Sequence, residues 1–525
     1  MRTRVQSNKS MRPQPLTMFL GIDVGHTAMK AVLFDLQGNE LARSGERIPT
    51  IAPKSGYYET STEDLWVQTA KVLKNITRQV DAKSVESIGL SGGGNGFYPL
   101  DQKFQPVGRG IPVLDRRATH IIDELKAKGA YDVLFKKLGM PVLPGSVPVL
   151  LRWFKENRRT EYDRIEHILS RKDIVRFRLT GDVSTEISDA CFGTLNVQTQ
   201  EYDEETLEIL GVREMADTLP ELRPNSYDVA GYVTAQAAQI TGLREGTPVV
   251  AGAHDACCNT IGAGAIKDNI ECTGGGTWSI NLLVVERPVL NPSWSCECFV
   301  KKGTWILEQS SPTATVSLDW FVEHFCSDER EKAKREGKSV YQVCDSEVEN
   351  VETSIIYLPF LMGLPWGYPF QSDASGAFLG LRIEDSRRQV LRALYEGVSF
   401  IHALHIEQYD KEIGVSEIRF TGGAANSPAW CQMLADVLGK KIVTVNVKET
   451  GCYGAALLGA LGTGHVKRLE DTATLVRTKE VYQPQKRYSE KYATFKESCE
   501  ALSKVWTKLE HLRLRSFSAE RELVT

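Results

Sequence analysis

Short apolar runs recur along this chain at two spacings, and their order predicts alternating strands and helices. The first run, Phe19–Ile22, leads into Asp23-Val-Gly-His-Thr-Ala-Met-Lys30, and a second, Ala31–Phe34, follows at once. Asp35-Leu-Gln-Gly-Asn39 is turn chemistry, and a third strand is expected from Glu40 to Arg47. The pattern is a strand–turn–strand–turn–strand meander. Thr62 begins a helix, with Glu63 and Asp64 in its first turn and Leu65, Ala70, Val72 and Leu73 as apolar positions. A short buried strand, Ser87-Ile-Gly-Leu90, then runs into Ser91-Gly-Gly-Gly-Asn-Gly96.

The second half opens in the same manner. Pro248–Gly252 reads as a strand entering His254-Asp255, and Ala256–Ala265 is helix-compatible and glycine-rich. Glu271–Val285 reads as strand–turn–strand around Gly274-Gly-Gly-Thr-Trp278. A long amphipathic helix is expected over Arg387–Tyr409, a strand over Glu417–Thr421 stopping at Gly422-Gly423, and a helix over Ala429–Leu438. That last helix carries Trp430, Met433, Leu434 and Val437 on one side. From about Tyr482 the chain reads as a charged terminal helix packed on the second domain. Mixed elements of this kind imply layered α/β domains. A length of 525 residues exceeds what one core supports. The expected division is a polar, basic tail over residues 1–17, a first domain over 18–265 and a second over 266–525.

Composition narrows the function classes. The net charge of -4 is small against 63 basic and 67 acidic residues, so nothing argues for nucleic acid. Eleven cysteines lie scattered, and neither Cys257-Cys258 nor Cys296-x-Cys298 has zinc-ligand spacing, which predicts reduced thiols. The tail has no apolar signal core and reads as disordered or as the product of an upstream start, Met11 and Met18 being other candidates. No run approaches the ~18 apolar residues that span a membrane. A cytoplasmic location is the expectation.

Four glycine-rich segments carry the candidate chemistry. In Asp23-x-Gly25-x-Thr27-x-x-Lys30 the aspartate ends a buried strand and the glycine lets backbone approach a polyphosphate. Thr27 and backbone N–H groups would donate to phosphate oxygens, with Lys30 adding positive charge. An ordinary tight hairpin with a capping aspartate fits the same residues. Asp255, in Gly252-Ala-His-Asp-Ala256, suits a proton acceptor for a hydroxyl or a holder of Mg²⁺–nucleotide, and equally a helix N-cap; His254 reads as structural. Gly274-Gly-Gly276-Thr277 offers bare backbone to phosphates. Gly422-Gly423-Ala424-Ala-Asn426, between a strand and a helix, offers a flat surface and a helix N-terminus to a nucleoside. No Gly-x-x-x-x-Gly-Lys-Ser/Thr is present, so this is not a P-loop.

The order of these segments resembles the actin-like ATPase fold and, within it, the FGGY carbohydrate kinases. Gly376-Ala-Phe-Leu-Gly-Leu381 with Gln389-Val-Leu-Arg-Ala-Leu-Tyr-Glu396 is similar to that family's C-terminal signature, departing at Leu394. Ser146–Asn157 is similar in part to the N-terminal one, without its usual lysine. The likeness runs from about Phe19 to Lys479. It implies an α/β fold of two actin-like, ribonuclease H-like domains with an interdomain catalytic cleft. It implies ATP and Mg²⁺ as cofactors, Asp255 as catalytic base, and Asp23 with Asp255 on the metal side. Gly25, His26, Thr27 and Lys30 would form the first phosphate loop, and Gly276 and Thr277 the second. Gly422, Gly423, Ala424 and Asn426 would form the adenosine site; Gly94 and Asn95, with Asp255, would meet the sugar. Asp115-Arg116-Arg117 would be structural beside that pocket. Leu114–Ala118, Ser311-Pro-Thr313, Leu318–Phe321, Leu358–Leu361 and Glu449–Ala456 resemble xylulose kinases, the L-xylulose type above all. Val316 departs from the glycine common near the nucleotide. The implied reaction phosphorylates a terminal hydroxyl of a ketopentose such as L-xylulose or D-xylulose. A polyol kinase acting on erythritol or glycerol, and a non-kinase actin-like ATPase, are the alternatives. The partner is a small sugar or polyol, with no nucleic acid or membrane, and a homodimer is compatible because dimers are common in the family.

Overall fold

The computed structural model describes residues 17–267, 269–364 and 371–522, the side chains of 514 and 516–522 excepted. The expected tail, apart from Thr17, lies outside the described residues. The predicted meander forms β1 (Met18–Val24), β2 (Ala28–Phe34) and β3 (Glu40–Arg47), each antiparallel to the next. Helix α1 (Thr62–Thr77) starts where expected, with the Ser61 hydroxyl accepting from the Asp64 N–H at 3.1 Å. It leads to β4 (Val85–Gly92), parallel to β1 and longer at both ends than its apolar run suggests. After α2 (Thr119–Ala127) and α3 (Arg171–Thr180), the sheet is completed by β5 (Val229–Tyr232), β6 (Pro248–Val250) and the short β7 (Ala253–His254). Its order is β5-β6-β4-β1-β2-β3, with β7 also on β4. Helix α4 (Asp255–Gly262) follows directly.

The second half repeats that plan. Strands β8 (Ile270–Gly275), β9 (Ser279–Val285), β10 (Ser295–Cys298) and β11 (Trp305–Ser311) are joined after α5 (Arg387–Glu412) by β12 (Glu417–Thr421). Then come α6 (Pro428–Leu438), β13 (Lys441–Val445), α7 (Thr450–Gly462), β14 (Thr478–Tyr482) and α8 (Ser489–Glu522). The sheet order is β10-β11-β9-β8-β12-β13-β14. Its antiparallel set β8, β9, β11 and parallel additions β12 and β13 mirror β1, β2, β3 and β4, β6 of the first sheet. The chain thus builds two α/β domains of one topology. Among the elements the apolar pattern misses is β14, an exposed edge strand placed where the terminal helix was expected to begin; that helix starts at Ser489. Its residues Thr-Lys-Glu-Val-Tyr have almost no apolar alternation to read.

The two sheets sandwich a pair of helices. On β1, Leu20, Ile22 and Val24 face the outer core with α1, whereas Phe19 and Gly21 face inward with Asp23 beyond them. Ser87, Gly89 and Ser91 form the matching inner column of β4 by register. Small residues there let α7 lie directly on the sheet: a Cβ on Gly21 would stand 1.7 Å from the Cys452 carbonyl oxygen, and one on Gly89 1.8 Å from that of Ala455. Helix α7 is buried all round, as its uniformly apolar sequence requires. Its far side meets α4, and α4 in turn reaches Cys272 of β8 and Cys298 of β10. Helix α4 is therefore held between the domains, with its first residue at the open end of this layer. Among the described residues no helix is long and apolar enough to cross a membrane.

Candidate active site

Strand register gathers the site. Asp23 on β1 and Ala253 on β7 both pair with Ser91 of β4, so the C-terminal ends of three parallel strands bring Asp23, Gly92, His254 and Asp255 to one edge. The Ser91 hydroxyl donates to Asp23 Oδ1 at 2.9 Å. Burial, then the neighbouring Asp255 charge, push the Asp23 carboxyl up to about 7. Asp255 behaves oppositely. Its depth in the cleft would raise it, but His254 Nε2, 2.9 Å from its Oδ1, outweighs that and holds it below the ordinary carboxylate range. Burial likewise works against a charged His254, yet Asp255 keeps that ring well above the usual histidine value. The two carboxyls are thus driven apart, and at neutral pH Asp255 is the settled anion.

Asp255 opens into a cavity of about 680 Å³ whose walls come from both domains. Gly93 and Gly94 let rings close over it: a Cβ at Gly93 would stand 2.6 Å from the His26 ring, and one at Gly94 2.7 Å from those of Phe192 and His254. His26 is pushed down to about 4 by burial and by Arg171. Asn95 sits in the left-handed region at φ 58°. Its N–H donates to Asp189 Oδ1 at 3.3 Å and its side-chain amide to the Ser146 hydroxyl at 3.3 Å, while its Oδ1 has no partner. Beneath this loop the fully buried Lys172 ties Asp173, Glu186 and Asp189 together. Asp115 accepts from the Tyr58 N–H at 2.7 Å and from Arg117 Nε at 2.9 Å, a bracket that leaves Arg116 on the cavity wall.

The glycine turns of the second domain meet one another. Gly274 pairs with Thr421 in register, as Asp23 pairs with Ser91 in the first sheet. Gly422 has φ 83°, and a Cβ there would lie 2.8 Å from the Gly275 carbonyl oxygen, so the turns carrying Gly276-Thr277 and Gly422-Gly423 form one surface. Gly423 and Asn426 are exposed, with the Asn426 amide donating to the Gly423 carbonyl at 3.4 Å; Ala424 is buried beneath them. Trp278, two residues past Gly276, lines the cavity that holds Asp255. In the first hairpin Thr27 is exposed, and Lys30 is paired at 2.9 Å with Glu449, just before α7. Partial burial works against the lysine charge, and Glu449 more than offsets it.

His26, Gly94, Asn95 and Asp255 therefore share one cavity, with Asp23 on the strand edge beside it, whereas Lys30 is drawn toward Glu449. Sequence reasoning missed the wall supplied by β10 and β11, with Glu297 and Glu308 on it. Burial, then Glu308, push the Glu297 carboxyl up to about 8. The available signal was a carboxylate inside Ser295-Cys-Glu-Cys-Phe-Val300, an otherwise buried strand pattern.

Comparison with known proteins agrees with this architecture. Residues 18–262 match the FGGY family of carbohydrate kinases, N-terminal domain, and residues 273–463 the C-terminal domain. A probable L-xylulose kinase of Pasteurella multocida is 32% identical over 456 residues, 85% of this chain and 91% of that protein. The L-xylulose/3-keto-L-gulonate kinase of Escherichia coli is 31% identical, over 85% of this chain and 88% of its own. Among solved structures, a gluconate kinase from Lactobacillus acidophilus superposes with a TM-score of 0.84 at 24% identity, covering 94% of this chain and 99% of its own. A xylulose kinase from the same organism gives 0.82 at 23%, covering 96% and 99%.

Proposed function

Because the chain belongs to the FGGY family of carbohydrate kinases, and so is a sugar phosphotransferase, we propose that it transfers the γ-phosphoryl group of ATP to a terminal hydroxyl of a ketopentose, L-xylulose or D-xylulose. The observation that carries the reading is the pair Asp23 and Asp255 on one strand edge, at a cavity walled by both domains. Asp255, ionised at neutral pH, accepts the proton of the sugar hydroxyl as that oxygen bonds to phosphorus and the bond to ADP breaks. His254 orients the Asp255 carboxylate from 2.9 Å. Asn95, whose Oδ1 lacks a partner, holds a sugar hydroxyl. The contiguous turns at Gly276-Thr277 and Gly422-Gly423 give the nucleotide bare backbone. Ala424 and Asn426 border its adenosine, and Gly25, His26 and Thr27 meet the phosphates from the other side.

Mg²⁺ fits this donor set. Two close carboxylates, one of them raised to about 7 by burial and by the other, form a like-charge pair that a divalent cation relieves. Asp23 and Asp255 would hold it, and its charge would offset that of the phosphates. Sugar filling the cavity keeps water from the reacting phosphorus. The reading is tested by ADP release with a panel of pentuloses and polyols. Stimulation by a ketopentose well above the sugar-free rate supports it. Stimulation by glycerol or erythritol alone moves the assignment to a polyol kinase, and a rate indifferent to every sugar refutes the phosphotransfer reading.

A further inference from the structure

The second domain turns a polar patch toward the sugar cavity. β10 and β11 pair Ser295 with Glu308 and Glu297 with Ile306. Alternation then puts Ser295, Glu297, Glu308 and Ser310 on one face, and all four line the cavity. Beside them on this face Ile306, the cross-strand partner of Glu297, and Leu282, that of Glu308, are ordinary core residues packed with α4. The sheet therefore exchanges apolar for polar side chains only where it meets the cavity.

Within that patch one atom is left unserved. Glu297 is 3% exposed and its Oε2 accepts no hydrogen bond. His254 Nδ1, also buried and without a hydrogen-bond partner, lies 3.7 Å away. That separation is too long for a direct bond. Both atoms are closed off as the side chains stand, so a hydroxyl reaches them from the cavity once the Glu297 carboxyl turns toward it, and a hydroxyl suits the place because it donates to one neighbour while accepting from the other. Glu297 and His254 both line the cavity, so the group that satisfies this pair can come from a bound ligand.

We infer that Glu297 Oε2 and His254 Nδ1 together hold one hydroxyl of the bound sugar, other than the hydroxyl that Asp255 deprotonates. Glu297 is then a specificity-determining residue contributed by the second domain. The inference rests on the sugar kinase reading given above. It places recognition of a non-reacting hydroxyl on the domain opposite the Asn95 loop, so the two walls read different parts of the same substrate.

The test is an analogue cycle. kcat/KM is measured for the preferred sugar and for deoxy analogues lacking each non-reacting hydroxyl in turn, using wild type, Glu297→Leu and Glu297→Gln. In Glu297→Leu the parent sugar should fall about 10- to 100-fold, while one particular analogue changes less than about threefold. Glu297→Gln, which keeps shape and hydrogen-bonding capacity, should recover part of that discrimination. An equal loss on the parent and every analogue, as a structural role or a bridging water would give, overturns the inference. So does no loss at all. If Glu297→Leu does not fold, the Glu297→Gln ratios decide alone, and ratios equal to wild type overturn it. Wild-type protein that phosphorylates no sugar or polyol refutes the kinase reading instead, and this inference falls with it.

Discussion

Replacing Gly454 by alanine should cost both stability and turnover, because this glycine sets the spacing between α7 and the helix that begins with Asp255. A Cβ at position 454 would lie 1.9 Å from the Cys258 carbonyl oxygen of α4. Real Cβ atoms do not approach within 3.0 Å, so the helices must part by about 1 Å. Helix α7 cannot retreat, since its other side already touches β1 and β4 at Gly21 and Gly89. The displacement falls on α4, which is packed against β8 and β10. Overpacking a rigid core costs typically about 1–3 kcal/mol, and with no direction of relief the upper figure applies. At about 2–4 °C per kcal/mol, calorimetry should show the melting temperature fall by roughly 6–12 °C. Moving a proton acceptor by about 1 Å costs on the order of 100-fold in rate. A coupled ADP-release assay on the surviving folded fraction should therefore show that loss in kcat. Gly454→Ala protein melting within about 2 °C of wild type, with kcat within about threefold, would refute the claim that this contact fixes Asp255.

Asp255→Asn keeps the shape of the side chain but removes the proposed proton acceptor. ATP binding by titration calorimetry should persist while kcat drops at least ~100-fold, about 2.7 kcal/mol of transition-state stabilisation. Near-normal sugar phosphorylation would exclude Asp255 as the base. Asp23, raised to about 7 in the fold against 3.8 for the free group, gives a stability–pH signature. The folded form binds its proton more tightly, so this contribution is complete below about 3.8 and is lost as pH rises toward and through 7. Unfolding free energy of nucleotide-free protein should fall between pH 4.5 and 7 by on the order of 3 kcal/mol more in wild type than in Asp23→Asn; parallel curves would contradict the assignment. Lys30 and Glu449 form a half-exposed pair worth about 0–1 kcal/mol. If Lys30 also meets phosphate, Lys30→Gln should raise the KM for ATP several-fold more than Glu449→Gln. Equal effects in the two variants would confine Lys30 to the pair.

Much of this protein was readable from its amino-acid order. The meander of the first three strands, the start of the first helix at Thr62 and the strand Glu417–Thr421 follow from local alternation, capping and turn chemistry. Those signals act within a few residues, so a single pass along the chain finds them. The positions of Asp23, Asp255 and the glycine turns at strand ends are legible for the same reason. What was not legible depends on contacts far apart in the chain. The Lys30–Glu449 pair joins residues 419 positions apart. Glu297 faces His254 only because β10 pairs with β11 in one register and α4 is pressed between the two sheets. His254 read as structural because nothing near it in sequence indicated that its two nitrogens point at different carboxylates. Local periodicity decided which strands and helices exist. Strand register and the close approach permitted by Gly21, Gly89 and Gly454 decided which of their ends meet, because backbone contact between elements is a property of packing and leaves no period in the sequence.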